Sequence, residues 1–239
     1  MQENTEKIIR FSEKYLQAKW LTNVNNYYIE NRTIVVNLGH EKAHISALPA
    51  KYLSPRNSTI LKEVSIKDGD SLLLIEIIDE TNIGGIILDS AWHLLGDITD
   101  FPKDVPLWKS PQYEVGTVAF DPYFVTGISD QSEDSNIKQY EVKVNLWFSP
   151  AKTNCAIHHH HAVPEFVEVH TQIYGTGRMQ KFHSNNFDTL YEDIIMSPGA
   201  THIPFAGLGK DDQFVYPWHQ YYSDTDCIWM ANEFHPITS

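Results

Sequence analysis

The sequence has few basic residues, few cysteines and no long apolar run. Its 18 Lys and Arg against 31 Asp and Glu give a formal net charge of −13. This charge argues against nucleic acid or an anionic membrane surface as a partner, because phosphate groups are bound by a basic face. Two cysteines, Cys155 and Cys227, give no disulfide framework. With no apolar run near the ~18 residues of a membrane span and no secretory signal in the polar start, we expect a cytoplasmic protein.

Several familiar catalytic signatures are also missing. The sequence contains no G-x-S-x-G elbow, no H-E-x-x-H and no Gly-rich phosphate loop before a helix. Histidine, in contrast, is abundant, with 12 in the chain. Nine of these lie between His158 and His235, which directs attention to the C-terminal half.

Hydrophobic periodicity predicts one short helix followed by many short strands. Residues 4–21 place apolar side chains on one helical face, namely Ile8, Phe11, Tyr15 and Leu16. Beyond them, short β-branched runs are separated by Gly, Pro, Asn and Asp. They occur at 33–38, 58–66, 71–78 and 84–89, and at closer spacing from 138 onwards. This pattern predicts a mainly β fold, an antiparallel barrel or sandwich.

The chain is predicted to divide near residue 110. Residues 1–110 would hold the short N-terminal helix and a β-rich region, and residues 111–239 would form the barrel. The N-terminal region is open to three interpretations: a lid, a dimerisation region, or a degenerate second barrel. It contains no motif with evident chemistry.

The segment 166–175 is predicted to form one wall of a polar pocket. As a strand it places Glu168, His170, Gln172 and Tyr174 on one face, with apolar side chains on the other. We predict that His170, Gln172 and Tyr174 orient a substrate or relay protons. Arg178 could pair with a substrate carboxylate. The alternative is a row of structural hydrogen bonds inside a barrel.

Four consecutive histidines precede this segment, within CAIHHHH. Strand alternation divides them into two pairs, His158 with His160 and His159 with His161. Either pair holds two imidazoles about 6–7 Å apart on one side of a strand, which suits two ligands of one divalent ion. If the next strand is its hairpin partner, Glu168 is placed to add a carboxylate.

These residues resemble the motifs of the cupin superfamily. The first motif of that family is H-x-H, three or four residues, Glu, six residues and Gly, and Glu168 to Gly175 repeats the Glu-six-Gly spacing. The second motif ends in P-x-G, two residues and His. The stretch SPGATH matches it at Gly199 and His202, with Ser197 in place of the proline.

The resemblance covers about residues 140–235 and implies a double-stranded β-helix barrel with one divalent metal ion inside. The metal ligands that it implies are His158, His160, Glu168 and His202. The gap between the histidines and Glu168 is longer than the family's usual one, so the register His159/His161 and the acid Glu165 remain open as alternatives. Such donors favour Zn²⁺ or Fe²⁺, with Mn²⁺ or Ni²⁺ as further options.

The implied function is that of a metal-dependent cupin enzyme acting on a small polar metabolite, with an amino-acid-like substrate favoured. The ion would act as a Lewis acid or an oxygen activator. Dioxygenase, isomerase and lyase reactions all fit, including a zinc-dependent rearrangement that forms a nitrogen–nitrogen bond in specialised metabolism. The alternative is a non-enzymatic cupin that serves as a sensor or a structural domain. Barrels of this kind often pair through edge strands, so a homodimer is expected.

Overall fold

The computed structural model of the chain describes residues 4–159, 166–209 and 213–237. It confirms the mainly β prediction, with antiparallel pairing throughout the described sheets. The strands are β1 (Thr5–Ile9), β2 (Leu16–Ile29), β3 (Thr33–Asn37), β4 (Ala43–Ile45), β5 (Lys51–Leu53), β6 (Ser58–Leu61), β7 (Val64–Ile77), β8 (His93–Leu94), β9 (Trp108–Lys109), β10 (Tyr113–Phe120), β11 (Lys138–Ser149), β12 (Thr153–Asn154), β13 (Val167–Tyr174), β14 (Gly177–Phe182), β15 (Leu190–Met196), β16 (Gly207–Leu208), β17 (Phe214–Val215), β18 (Trp218–Ser223) and β19 (Cys227–Pro236).

Helical segments are few and short. The α-helices are α1 (Leu95–Ile98) and α2 (Pro122–Val125), and the 3₁₀ segments are Ile83–Leu88, Asp134–Asn136 and Phe187–Thr189. The first 3₁₀ segment corrects the strand predicted at 84–89. Within the described residues, no helix has the length and hydropathy that crossing a bilayer requires.

The helix predicted at 4–21 is wrong, because these residues form β1 and the start of β2. Ile9 is 2% exposed, whereas Ile8, on the predicted apolar face, is 67% exposed. β1 pairs with β2, which in turn pairs with β7 along most of its length. This long-range pairing satisfies the backbone and buries the alternate side chains, so it outweighs the local helical period.

Three sheets define the architecture. The N-terminal sheet has the order β1-β2-β7-β3-β6, with β4 and β5 attached. The central sheet has the order β13-β19-β11-β9-β8, with β10 paired to β11. The outer sheet has the order β12-β18-β14-β15. β8 and β9 precede the predicted boundary at residue 110, yet they pair within the central sheet.

The central sheet is covered on both faces. Alternate residues of β11, among them Val142, Val144 and Leu146, join one core cluster with Val36 and Leu73 of the N-terminal sheet. The opposite face carries Trp147 and Trp229 towards the outer sheet, where a second cluster includes Met179 and Tyr221. The period of two along each strand thus separates an apolar back face from a front face that lines a cavity.

The predicted hairpin between the histidine run and 166–175 is not found in the described residues. β13 pairs with β19 of the central sheet. His158 instead makes an isolated antiparallel bridge with His219, which belongs to β18 of the outer sheet. Gly175, with a φ of 73°, turns the chain from the central sheet into the outer sheet rather than closing a hairpin. Glu168 and His158 therefore approach each other from opposite sheets.

Candidate functional site

A cavity of about 330 Å³ lies between the central and outer sheets. Its polar lining consists of His158, Glu168, His170 and His219. The rest of the lining is mainly aromatic or apolar and comprises Trp147 and Trp229 of the central sheet, Met179 and Tyr221 of the outer sheet, Cys155 directly after β12, and Leu95, Phe101 and Leu107 of the segment before β9. This volume is at the small end of the range for small-molecule sites, about 300–1,000 Å³.

The strand register places the lining residues in successive rows across the sheets. Each row of directly opposite residues is called a level. In the central sheet, Trp229 lies opposite both Trp147 and Gln172. One level further along, Ala231 lies opposite His170, and beyond it Glu233 lies opposite Glu168. In the outer sheet, Tyr221 lies opposite Met179, and the next level holds His219. The cavity is therefore aromatic at one end and carries imidazoles and a carboxylate at the other.

The hydrogen bonds of His202 determine the protonation of its ring. Its Nδ1 lies 2.8 Å from the carbonyl oxygen of Ile203, and a carbonyl only accepts, so Nδ1 carries the proton. The backbone N–H of His170 donates to Nε2 of His202 at 2.9 Å. Burial, followed by the proximity of His170, lowers the pKa of His202 to about 3. His202 is thus a neutral ring whose Nε2 accepts hydrogen bonds.

This assignment determines the orientation of His170. Nδ1 of His170 lies 3.0 Å from Nε2 of His202, and it must donate there because that nitrogen has no proton. Nε2 of His170 then faces Oε1 of Glu168 at 3.5 Å. If His170 is neutral, it offers only a lone pair to the carboxylate. A proton or a metal ion between the two atoms would make this contact attractive.

His158 and His219 have the same kind of backbone tether. Nδ1 of His158 donates to the carbonyl of Ala156 at 3.0 Å, and Nδ1 of His219 donates to the carbonyl of Pro217 at 2.8 Å. Their ring centroids are 4.3 Å apart. Each tether leaves Nε2 as the basic nitrogen of the neutral ring. Such second contacts typically orient imidazoles that bind metal ions.

Tyr216 holds the beginning of β13 in place. Its buried hydroxyl donates to the carbonyl of Phe166 at 2.9 Å and accepts the backbone N–H of Glu168 at 3.1 Å. Burial raises the pKa of this phenol above its usual value, so it stays protonated and can donate. The position of Glu168 in the cavity thus depends on a side chain from a distant part of the chain.

The other predicted contact residues do not line the cavity, although the amide oxygen of Gln172 accepts a hydrogen bond from the hydroxyl of Tyr221, which does. Gln172 is fully buried and donates to the carbonyls of Tyr174 and Gly175, so it supports the turn after β13. Tyr174 lines a separate cavity at that turn. Arg178 forms ion pairs that engage its Nε and Nη1 atoms, with Asp224 at 2.6 Å and Asp193 at 2.7 Å.

Of the predicted metal ligands, the structure brings His158, Glu168 and the neighbouring His170 to one cavity, and His202 stands behind His170. His159 lies against the ring of Trp218 at 3.7 Å. The predictions for His160, His161 and Glu165 fall outside the described residues.

The donor chemistry of the site fits a divalent metal ion. Imidazole nitrogens and a carboxylate are the usual ligands of Zn²⁺ and Fe²⁺. Two ligands of a tetrahedral zinc, at their usual bond lengths, lie about 3.3–3.5 Å apart, and the His170–Glu168 distance is 3.5 Å. Among the residues that the structure describes, no three His, Cys, Asp or Glu side chains form a ready cluster.

Three parts of this site carry little signal in the local sequence. His219 and Tyr216 lie in QFVYPWHQYY, where the alternation of His219 with Tyr221 was the available signal. The Pro-rich segment 100–112 gave no pattern, yet Phe101 and Leu107 close one side of the cavity. Their role depends on pairing between β9 and β11, which a local pattern does not predict.

Comparisons with known proteins found similarity only among solved structures, since no family model and no curated protein matches. A cupin 2 conserved barrel domain protein from Leptotrichia buccalis is 10% identical, with a TM-score of 0.30, covering 97% of this chain and 89% of that chain. A mutant of oxalate decarboxylase OxdC from Bacillus subtilis is 10% identical, with a TM-score of 0.30. The match covers 99% of this chain and 74% of that chain. AerE from Microcystis aeruginosa is 9% identical, with a TM-score of 0.26, covering 96% of each.

The first of these structures has the barrel domain of the superfamily that the motifs around Glu168 and His202 resemble. Likenesses at such identities and TM-scores carry no information about substrate, metal or reaction.

Proposed function

We propose that the protein is a metal-dependent enzyme that binds a small metabolite in the cavity between the central and outer sheets. The observation that carries this proposal is the pair formed by His170 and Glu168. The tautomer of His170 is fixed from behind by His202, and its Nε2 faces a carboxylate oxygen at the spacing of two metal ligands. An inward-facing pair of this kind in a small cavity is typical of a catalytic centre.

Glu168 and His170 would hold the ion, with an imidazole of His158 or His219 from the opposite sheet as a further ligand. His202 would act on His170 and not on the ion, because its Nε2 accepts hydrogen bonds from His170. When bound, the ion supplies Lewis acidity or, if it is iron, activation of dioxygen.

The protein residues around the ion would position the substrate and exclude water. The aromatic and apolar lining would reduce the access of water to the cavity, which strengthens electrostatic contacts around the ion. The imidazole of His158 or His219 that does not bind the ion would accept or return a proton at Nε2, because Nδ1 is held by a backbone carbonyl. A dioxygenase, isomerase or lyase reaction is compatible with these roles.

Elemental analysis of untagged, natively purified protein tests the proposal. We expect about one equivalent of Zn, Fe, Mn or Ni per chain. Glu168→Ala and His170→Ala should each reduce the metal content close to zero, because each removes a direct ligand. His202→Gln should retain the metal with an affinity about 10–100-fold lower, as expected for an outer contact.

His183→Ala is the matched control, since this exposed histidine stacks on Tyr191 at 4.6 Å far from the cavity. It should leave the metal content unchanged. The proposal fails if wild-type protein stays metal-free after supplementation with each of the four ions. The assignment of His170 fails if His202→Gln abolishes metal binding while His170→Ala retains it.

A further inference from the structure

We infer that the substrate of the proposed metal site is an α-amino acid, or a close derivative of one, with an aromatic side chain. This inference rests on the proposed function, which places the substrate in the cavity, and it adds the chemical class. It follows from the order of the lining residues along the strands.

The aromatic level of the cavity is built from rings on both sheets. Tyr221 and Trp229 stack with centroids 3.9 Å apart and an interplanar angle of 14°. Trp147 lies directly opposite Trp229 on the neighbouring strand. Tyr221 and Trp229 already cover each other's facing surfaces, so a flat ligand ring would gain contact by meeting their edges or by packing on Trp147 and Phe101.

A folded segment closes this level from the side. Leu95, Phe101 and Leu107 line the cavity from the chain between β8 and β9. The segment is tightly packed on itself, because a Cβ at Gly96 would lie 2.8 Å from the carbonyl oxygen of Phe101. Phe101 is thus part of a preformed wall, and a preformed apolar wall loses little entropy when a ring binds against it.

The polar end of the cavity lies one to two levels from the aromatic level. Neighbouring residues on one face of a strand are about 6.6 Å apart, so His170 stands about one level, and Glu168 about two levels, from Gln172 and its partner Trp229. An aromatic amino acid has this build, with a ring at one end and charged groups a few bonds away.

Both charges of an amino acid find complementary groups at that end. The ion held by Glu168 and His170 suits a carboxylate, and the basic Nε2 of whichever imidazole of His158 or His219 does not bind the ion suits an ammonium group. The small cavity volume of about 330 Å³ excludes peptides and large cofactors. Size, ring walls and paired charges therefore agree on one class of ligand.

Calorimetric titration with L-phenylalanine and L-alanine tests the inference, because these probes differ only in the ring. It should be done on metal-loaded protein and on chelator-treated protein. We expect L-phenylalanine to bind about tenfold or more tightly than L-alanine, since one probe buries a phenyl group. The ring should also change the fluorescence of Trp147 and Trp229.

Phe101→Ala should weaken L-phenylalanine binding about fivefold or more and leave L-alanine binding unchanged. Phe187→Ala is the control, because Phe187 is 55% exposed and lies outside the cavity lining. Circular dichroism and the urea midpoint establish that both variants fold.

Equal binding of the two amino acids, or no binding of either by the metal-loaded protein, overturns the inference. An unchanged L-phenylalanine affinity in Phe101→Ala also overturns it. The metal content is measured separately, so a metal-bearing protein without ring preference refutes the substrate class alone. Ring preference in a protein that never acquires metal instead refutes the proposed enzyme and leaves an amino-acid-binding cavity.

Discussion

Replacing Tyr216 with phenylalanine removes one oxygen atom that holds the start of β13. The hydroxyl bonds both the carbonyl of Phe166 and the backbone N–H of Glu168. Tyr216 is 3% exposed and Phe166 is 6% exposed, so water does not easily replace the lost contacts. Phenylalanine keeps the ring packing, which restricts the change to these hydrogen bonds.

The expected cost follows from two polar backbone groups that lose a partner. The loss of a hydrogen bond to a buried group costs about 1–3 kcal/mol, so the loss of two in Tyr216→Phe should lower the free energy of unfolding by about 2–6 kcal/mol. That is a large share of the total stability of a typical domain, about 5–15 kcal/mol. Because Glu168 is displaced as well, the affinity for the metal ion should fall about tenfold or more, as for other groups that orient ligands.

Urea denaturation gives the free energy of unfolding, and competition with a chelator gives the metal affinity. Tyr191→Phe is the control, because Tyr191 is 48% exposed and a surface change of this kind stays within about 0.5 kcal/mol. If Tyr216→Phe also stays within that range and keeps its metal affinity, Tyr216 does not position Glu168.

Three further predictions concern other parts of the chain. Gly199→Ala should cost about 2 kcal/mol in urea denaturation, because Gly199 has a φ of 81° and a Cβ would lie 2.6 Å from a side-chain carbon of Ile60; an unchanged midpoint would contradict the turn. Burial raises the pKa of Cys155 to about 12, so its alkylation in native protein should stay negligible at pH 8, whereas mass spectrometry should show rapid reaction of the same cysteine in urea at pH 9. Arg178→Ala should change stability by no more than about 1 kcal/mol and leave L-phenylalanine binding intact, whereas a loss of binding would restore Arg178 as a substrate contact.

The β-rich fold was predictable because turn residues divide the sequence into short β-branched runs. Strand β3 at Thr33–Asn37 and strand β15 at Leu190–Met196 lie where the punctuation predicts them. The N-terminal strands β1 and β2 were not predictable in the same way. Ile8 and Phe11 fit a helical period, but β2 gains its stability from β7, which starts more than thirty residues after β2 ends.

The site was predictable in its residue types and less so in its arrangement. The alternation of Glu168 and His170 on one strand face was visible in the sequence, and both line the cavity. Their partners were not visible, since His202 reaches His170 through a turn, and His219 reaches His158 through an isolated bridge. Such contacts depend on which strands become neighbours, and this is set by the whole fold.

Because the central sheet is covered on both faces, the chain cannot easily be divided into two parts that fold separately. The apolar back of that sheet, with Val142 and Val144, has its complement in the N-terminal sheet, while β9 and Phe101 complete the front. A gene fragment that begins at residue 111 would encode Glu168, His170 and the outer sheet, but it would lack the N-terminal sheet behind the central sheet and the segment that closes one side of the cavity. The two halves therefore depend on each other for folding. A recombination event within the segment 93–110 is expected to yield insoluble products.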